Sequence, residues 1–167
     1  MRTLFLILLI ALNTTAAYSQ MRYGIVKFHA FKQDSHTGAV PVDQNGDQNS
    51  NHTNTRYLLF VETAGKTLPK FDTVYIGSKA YAPKAEEIKP GKKGFGKLTK
   101  TGKPASFSAA KGNRLWQLIL WEADGAVPSK LRSVASKNEL VITGRFNALK
   151  FTMAIPEAQQ LESIFNE

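Results

Sequence analysis

ELVITGRFNALKFTMAI, residues 139 to 155, decides the fold class. In its second half Leu149, Phe151, Met153 and Ile155 alternate with Lys150, Thr152 and Ala154, the period-two pattern of a strand with one buried face. The first half is equally β-branched, so the stretch reads as a terminal strand pair, or as one long strand kinked near Asn147.

The same signal recurs upstream. YGIVKFHAF (23–31) sets Val26, Phe28 and Ala30 against Ile25, Lys27 and His29. RYLLFVET (56–63) is apolar on both faces in its middle, as a central strand is, and DTVYIGSKAY (72–81) is β-branched and aromatic with Gly77 as a bulge or close-packing point. PASFSAAKGNRLWQLILWE (104–122) reads as a hairpin: a short strand near 104–110, a turn at Lys111-Gly112-Asn113, and a long apolar strand from Arg114 to Glu122. Trp116 and Trp121 lie on opposite faces of that strand and are expected to pack in the core. After the last strand, Pro156 suits a first helical position. Ala158, Leu161, Ile164 and Phe165 recur at helical spacing, which predicts a short amphipathic C-terminal helix.

Six or seven short strands with one late helix describe an all-β, antiparallel β-sandwich, with a small β-barrel or an α+β arrangement as the alternatives. Length supports a single β-rich domain over residues 21–167, interrupted by long polar loops near 33–55 and 82–103. Long loops on a rigid frame are where binding residues concentrate.

Residues 1–20, MRTLFLILLIALNTTAAYSQ, carry a basic Arg2, an apolar run from Leu4 to Leu12 and a small, polar end. This is the layout of a cleavable signal peptide, and the run is too short to span a bilayer, so a secreted or periplasmic location is expected. The chain has no cysteine, hence no disulfide framework and no thiol nucleophile. Its formal net charge of +9 biases it toward anionic partners.

The two loops hold the chemical candidates. VDQNGDQNSN (42–51) places Asp43, Asn45, Asp47 and Asn49 at every second position, the start of a calcium loop. Gln48 stands where such a loop turns on glycine and Asn54 where a bidentate glutamate closes the cage, so it is half a motif with few carboxylates for a hard cation. Asn, Asp and Gly are also what strand connections are made of, and that is the reading adopted, with calcium as the alternative and no other cofactor. His36 and His52 flank the loop without metal-ligand spacing.

The second loop carries Lys89, Lys92, Lys93, Lys97, Lys100, Lys103 and Lys111, followed by Arg114, with no acidic residue from 88 to 121. Gly91 to Lys97 fits G-x-x-x-x-G-K, but Leu98 replaces the Ser or Thr that binds magnesium, so no nucleotide is expected. A glycine-hinged polycation with Phe95 available to stack instead suits an anionic partner: a polysaccharide, a nucleic acid or an acidic protein surface. The competing reading is a solvated loop whose lysines protect strand edges from aggregation.

There is no G-x-S-x-G and no histidine in a triad context, so a non-catalytic binding or accessory module is the expected class. Two rivals make distinct structural demands. A hydrolase of an anionic polymer needs carboxylates such as Glu62 and Glu122 to converge beside the lysines, and an assembly subunit of an envelope complex needs an exposed apolar patch or an unpaired strand edge.

Overall fold

The computed structural model describes residues 24–37, 53–89, 91 and 93–166. The strands in chain order are β1 (Ile25–Thr37), β2 (Thr53–Ala64), β3 (Lys70–Ile76), β4 (Lys79–Ile88), β5 (Lys93–Lys97), β6 (Pro104–Phe107), β7 (Asn113–Ala126), β8 (Leu140–Phe146), β9 (Leu149–Ile155) and β10 (Gln159–Asn166). One helical turn, α1 (Arg132–Ala135), follows a 3₁₀ turn at Ser129–Leu131.

Eight strands form one sheet in the order β10-β1-β2-β7-β4-β3-β8-β9, and β5 pairs with β6 in a separate ribbon. Every neighbour pair in the large sheet is antiparallel except β1 with β10, which is parallel. The sheet curls around the side chains that alternation aims inward: Leu59 and Val61 of β2, Val74 of β3, Leu118 of β7, Leu140 and Ile142 of β8 and Phe151 of β9 form the main core. Phe28 and Ala30 of β1 end up lining the same groove as Met153 and Ile155 of β9. The two facing layers expected of a sandwich are thus the two halves of one curled sheet.

A polar latch holds the curl at one end. The Glu139 carboxylate, just before β8, accepts hydrogen bonds from Lys32 Nζ of β1 (2.9 Å), the Tyr57 hydroxyl of β2 (2.9 Å) and the Ala158 backbone N–H before β10 (2.7 Å). Burial works against the charge on Glu139, but the bonds from Ala158, Lys32 and Tyr57 outweigh it and lower its pKa. Burial and the bond to Glu139 together push the Tyr57 hydroxyl well above its ordinary pKa.

The all-β class with one short helix is what the structure has, with three corrections of detail. Ten strands are present among the described residues, not six or seven. The helix is α1, whereas the predicted C-terminal helix is strand β10, paired with β1 from Phe31↔Gln159 to Thr37↔Asn166. Between Gln33↔Leu161 and Ser35↔Ile164 the pairing gains one residue in β10, a β-bulge. The bulge spaces apolar Leu161 and Ile164 three apart, imitating a helical period within a strand. Third, β6 does not pair with β7: β6 pairs with β5, while β7 runs between β2 and β4. The strands also extend into the expected loops, with β1 reaching Thr37, β2 starting at Thr53 and β4 reaching Ile88.

The tryptophans divide. Trp116 is half-buried and its indole N–H donates to Thr63 Oγ1 at 3.0 Å. Trp121, expected in the core, is 63% exposed and projects from the face of β7 opposite to that of Trp116.

Candidate functional site

The lysine-rich segment is a hairpin docked by aromatic side chains. Lys93 lies opposite Phe107 and Lys97 opposite Pro104, and the ribbon packs on the outer face of β1 and β2. Phe107 stacks on His29 with ring centroids 4.2 Å apart and planes at 2°, and lies 5.0 Å from Phe95. Phe95, the stacking candidate of the sequence reading, has its ring 4.3 Å from that of Phe60 and belongs to this cluster with Phe31, Leu115 and Leu161. Burial, then the charge of Lys27, lower the pKa of His29 against an opposing pull from Glu62, which favours the neutral form of the ring stacked on Phe107.

Docking sorts the cations into two groups. Lys97, Lys100 and Lys103 surround the tip, a tight turn in which the Leu98 N–H donates to the Lys103 carbonyl (2.9 Å) and Gly102 N–H to the Leu98 carbonyl (2.7 Å). The Thr99 N–H donates to the Gln160 carbonyl (3.0 Å), tying this tip to β10, and Lys100 lines a cleft of about 440 Å³ with Glu157, Gln159 and Gln160.

At the open end of the hairpin Lys89, Lys111 and Arg114 line a larger cleft, of about 710 Å³. Its walls are the turn after β2 at Gly65-Lys66, the end of β4 with Glu87 to Lys89, Gly91, and the segment from Ala109 to Leu115. Lys66 joins the group here. It escaped the sequence reading because it lies more than twenty residues before the lysine run, and only the pairing of β2 with β7 brings its turn alongside Asn113 and Arg114. Lys93 starts β5 at this end of the ribbon, and Lys92 lies outside the described residues.

The rim of the cleft is fixed from behind. Glu62 is 5% exposed, and its Oε1 accepts the Ala110 backbone N–H (2.9 Å) and the Asn113 side-chain N–H (2.7 Å), which pins the turn carrying Lys111. Among the described residues Glu87 is the only carboxylate on the cleft wall itself, and it is paired with Arg114 Nη1. Three lysines and one arginine against one carboxylate leave the cleft net positive, and a concave positive surface concentrates field more than the same charges spread on a flat one.

Glu62 and Glu122, the carboxylates expected of a polymer hydrolase, lie far apart. Glu62 is level with Leu115, whereas Glu122 is seven residues further along β7, roughly 23 Å at the rise of a strand, and pairs with Lys79. Asp43, Asn45, Asp47 and Asn49, the calcium candidates, lie outside the described residues, as does His52. Among the described residues no group of three or more His, Asp or Glu side chains could hold a metal ion. Among them, too, no helix is long and apolar enough to cross a membrane.

Compared with family models, with curated proteins and with solved structures, the chain matches none.

Proposed function

We propose that this chain is an exported, non-catalytic β-domain that binds an anionic partner in the cleft between the β2–β3 turn, the end of β4 and the 109–115 segment. The observation that carries this reading is the gathering of Lys66, Lys89, Lys111 and Arg114 from three separate stretches of sequence into one concavity. A solvating role needs lysines dispersed on convex surface, and it gives no reason for a buried Glu62 to fix the rim that presents Lys111. Export rests on the signal-peptide pattern of residues 1–20.

The test is to add a heparin oligosaccharide to the isotopically labelled chain and map which backbone amides shift. The reading expects the largest shifts at 65–66, 87–89, 91 and 109–115. Shifts confined to the hairpin tip at 97–103 would move the site, and no shift at physiological salt would end the proposal.

One observation favours a second reading, an assembly subunit. Among the described residues β9 is an edge strand paired only with β8, and it begins with Leu149, 55% exposed. An open edge of this kind can accept a strand from a partner chain. The opposite edge is blunted, since Leu98 of the hairpin tip bridges Leu161 of β10.

A further inference from the structure

Resting on the proposed cleft, we infer that its ligand is a carboxylate-bearing polymer, one carboxylate of which replaces Glu87 on Arg114. Glu87 projects from the end of β4 and Arg114 from the start of β7, and the two strands run side by side with Glu87 opposite Trp116 and Ile88 opposite Leu115. Their ion pair sits on the cleft wall with both side chains partly exposed, 34% for Arg114 and 40% for Glu87. The guanidinium is therefore already in contact with a carboxylate at a solvent-reachable place, and Glu87 acts as an internal competitor that a ligand must displace.

The remaining lining narrows the chemistry. Apart from its charged side chains the cleft is walled by Gly65, Gly91, Ala109, Ala110 and Gly112, with Ile88, Leu115 and the amide of Asn113. Among the described residues no aromatic ring lines it, and the phenylalanines of the hairpin are committed to the cluster over β1 and β2. Single-stranded nucleic acids rely on stacking platforms of that kind, so this cleft reads charge instead of bases. Lys66, Lys89 and Lys111 then supply non-directional attraction along the polymer, while Arg114 supplies the directional hydrogen bonds to one carboxylate.

A double-mutant cycle with polygalacturonate separates this inference from the reading beneath it. Binding is measured for the wild type, Glu87→Gln, Arg114→Gln and the double variant, with Lys66→Gln/Lys89→Gln/Lys111→Gln as the control for the cleft, and dextran sulfate as a second polyanion. Freeing Arg114 from a partly exposed pair should raise polygalacturonate affinity about threefold in Glu87→Gln, and that gain should vanish when Arg114 is also changed. An equal gain in both backgrounds would mean that Glu87 acts only through net charge, and would overturn the inference while leaving the cleft intact. Equal coupling on dextran sulfate would overturn the carboxylate assignment. Wild-type binding to neither polymer, or binding indifferent to the three lysines, would remove the cleft itself.

Discussion

Two residues at the β8–β9 hairpin carry conformational consequences that can be measured. Asn147 (φ 48°) and Ala148 (φ 65°) form its two-residue loop, with Phe146 paired to Leu149 on either side. Two successive positive φ values are the geometry in which hairpins favour Asn-Gly, and here the second place holds an alanine whose Cβ resists the left-handed region. Ala148→Gly should therefore raise stability by about 0.5–1 kcal/mol in chemical denaturation, despite the extra freedom glycine gives the unfolded chain. Gly144 is the opposite case. A Cβ there would stand 2.5 Å from Phe151 Cζ and 2.6 Å from the Lys70 carbonyl oxygen, and the second contact is backbone that cannot swing aside. Gly144→Ala should cost about 2–3 kcal/mol, seen as a lower denaturation midpoint.

The β5–β6 ribbon is the element on which the site depends. It is held to the sheet by Phe95, Phe107 and the tip contacts with β10, and its open end carries the Ala109–Asn113 rim. Phe107→Ala removes the ring between His29 and Phe95, and because that ring is only half-buried the cost should be about 2 kcal/mol. Hydrogen exchange should show amides of 105–111 losing protection before those of β7, and affinity for a polyanion should fall although no charge has changed. A variant that exchanges uniformly faster would mean that the ribbon is part of the main cooperative unit. Little of this element could be read from sequence. KPGKKGFGKLTKTGKPASF is dominated by lysine and glycine, which looks like a loop, and its strands are too short for alternation to register; Phe95, Leu98, Ala105 and Phe107 are the scattered marks of an apolar face. β10 misled for a different reason, since its bulge converts period two into an apparent helical spacing. The alternating strands β1 and β9 were legible because one face of each meets the main core, and β2 and β8 because apolar side chains fill both of their faces. Of the site, Lys89, Lys111 and Arg114 were legible as charge, whereas their separation from Lys97, Lys100 and Lys103, and their union with Lys66, are properties of strand pairing.

At the scale of the whole molecule, the curl that creates the core depends on the Glu139 latch joining β1, β2, β8 and the entry to β10. Glu139 has a folded-state pKa below its unfolded value, so its ionised form stabilises the fold at pH values above the unfolded pKa. That contribution is lost as pH falls through the lowered folded value, below the ordinary carboxylate range near pH 4. Glu139→Gln should be less stable than the wild type at neutral pH, and the two should converge in acid; a gap that stays constant with pH would refute a charged latch. Among the described residues Trp121 and the β9 edge stand uncovered, and the cationic cleft lies at the end of the hairpin away from the tip.

The central claim is that one of the two cation groups binds and the other does not. The direct measurement is heparin affinity across a salt series for the wild type, for Lys66→Gln/Lys89→Gln/Lys111→Gln, and for Lys97→Gln/Lys100→Gln/Lys103→Gln. If the cleft is the site, the first variant should flatten the slope of log affinity against log salt by about two units as its counterion release is lost, while the second keeps the wild-type slope. A slope that flattens equally in both variants, or only in the tip variant, would contradict the account.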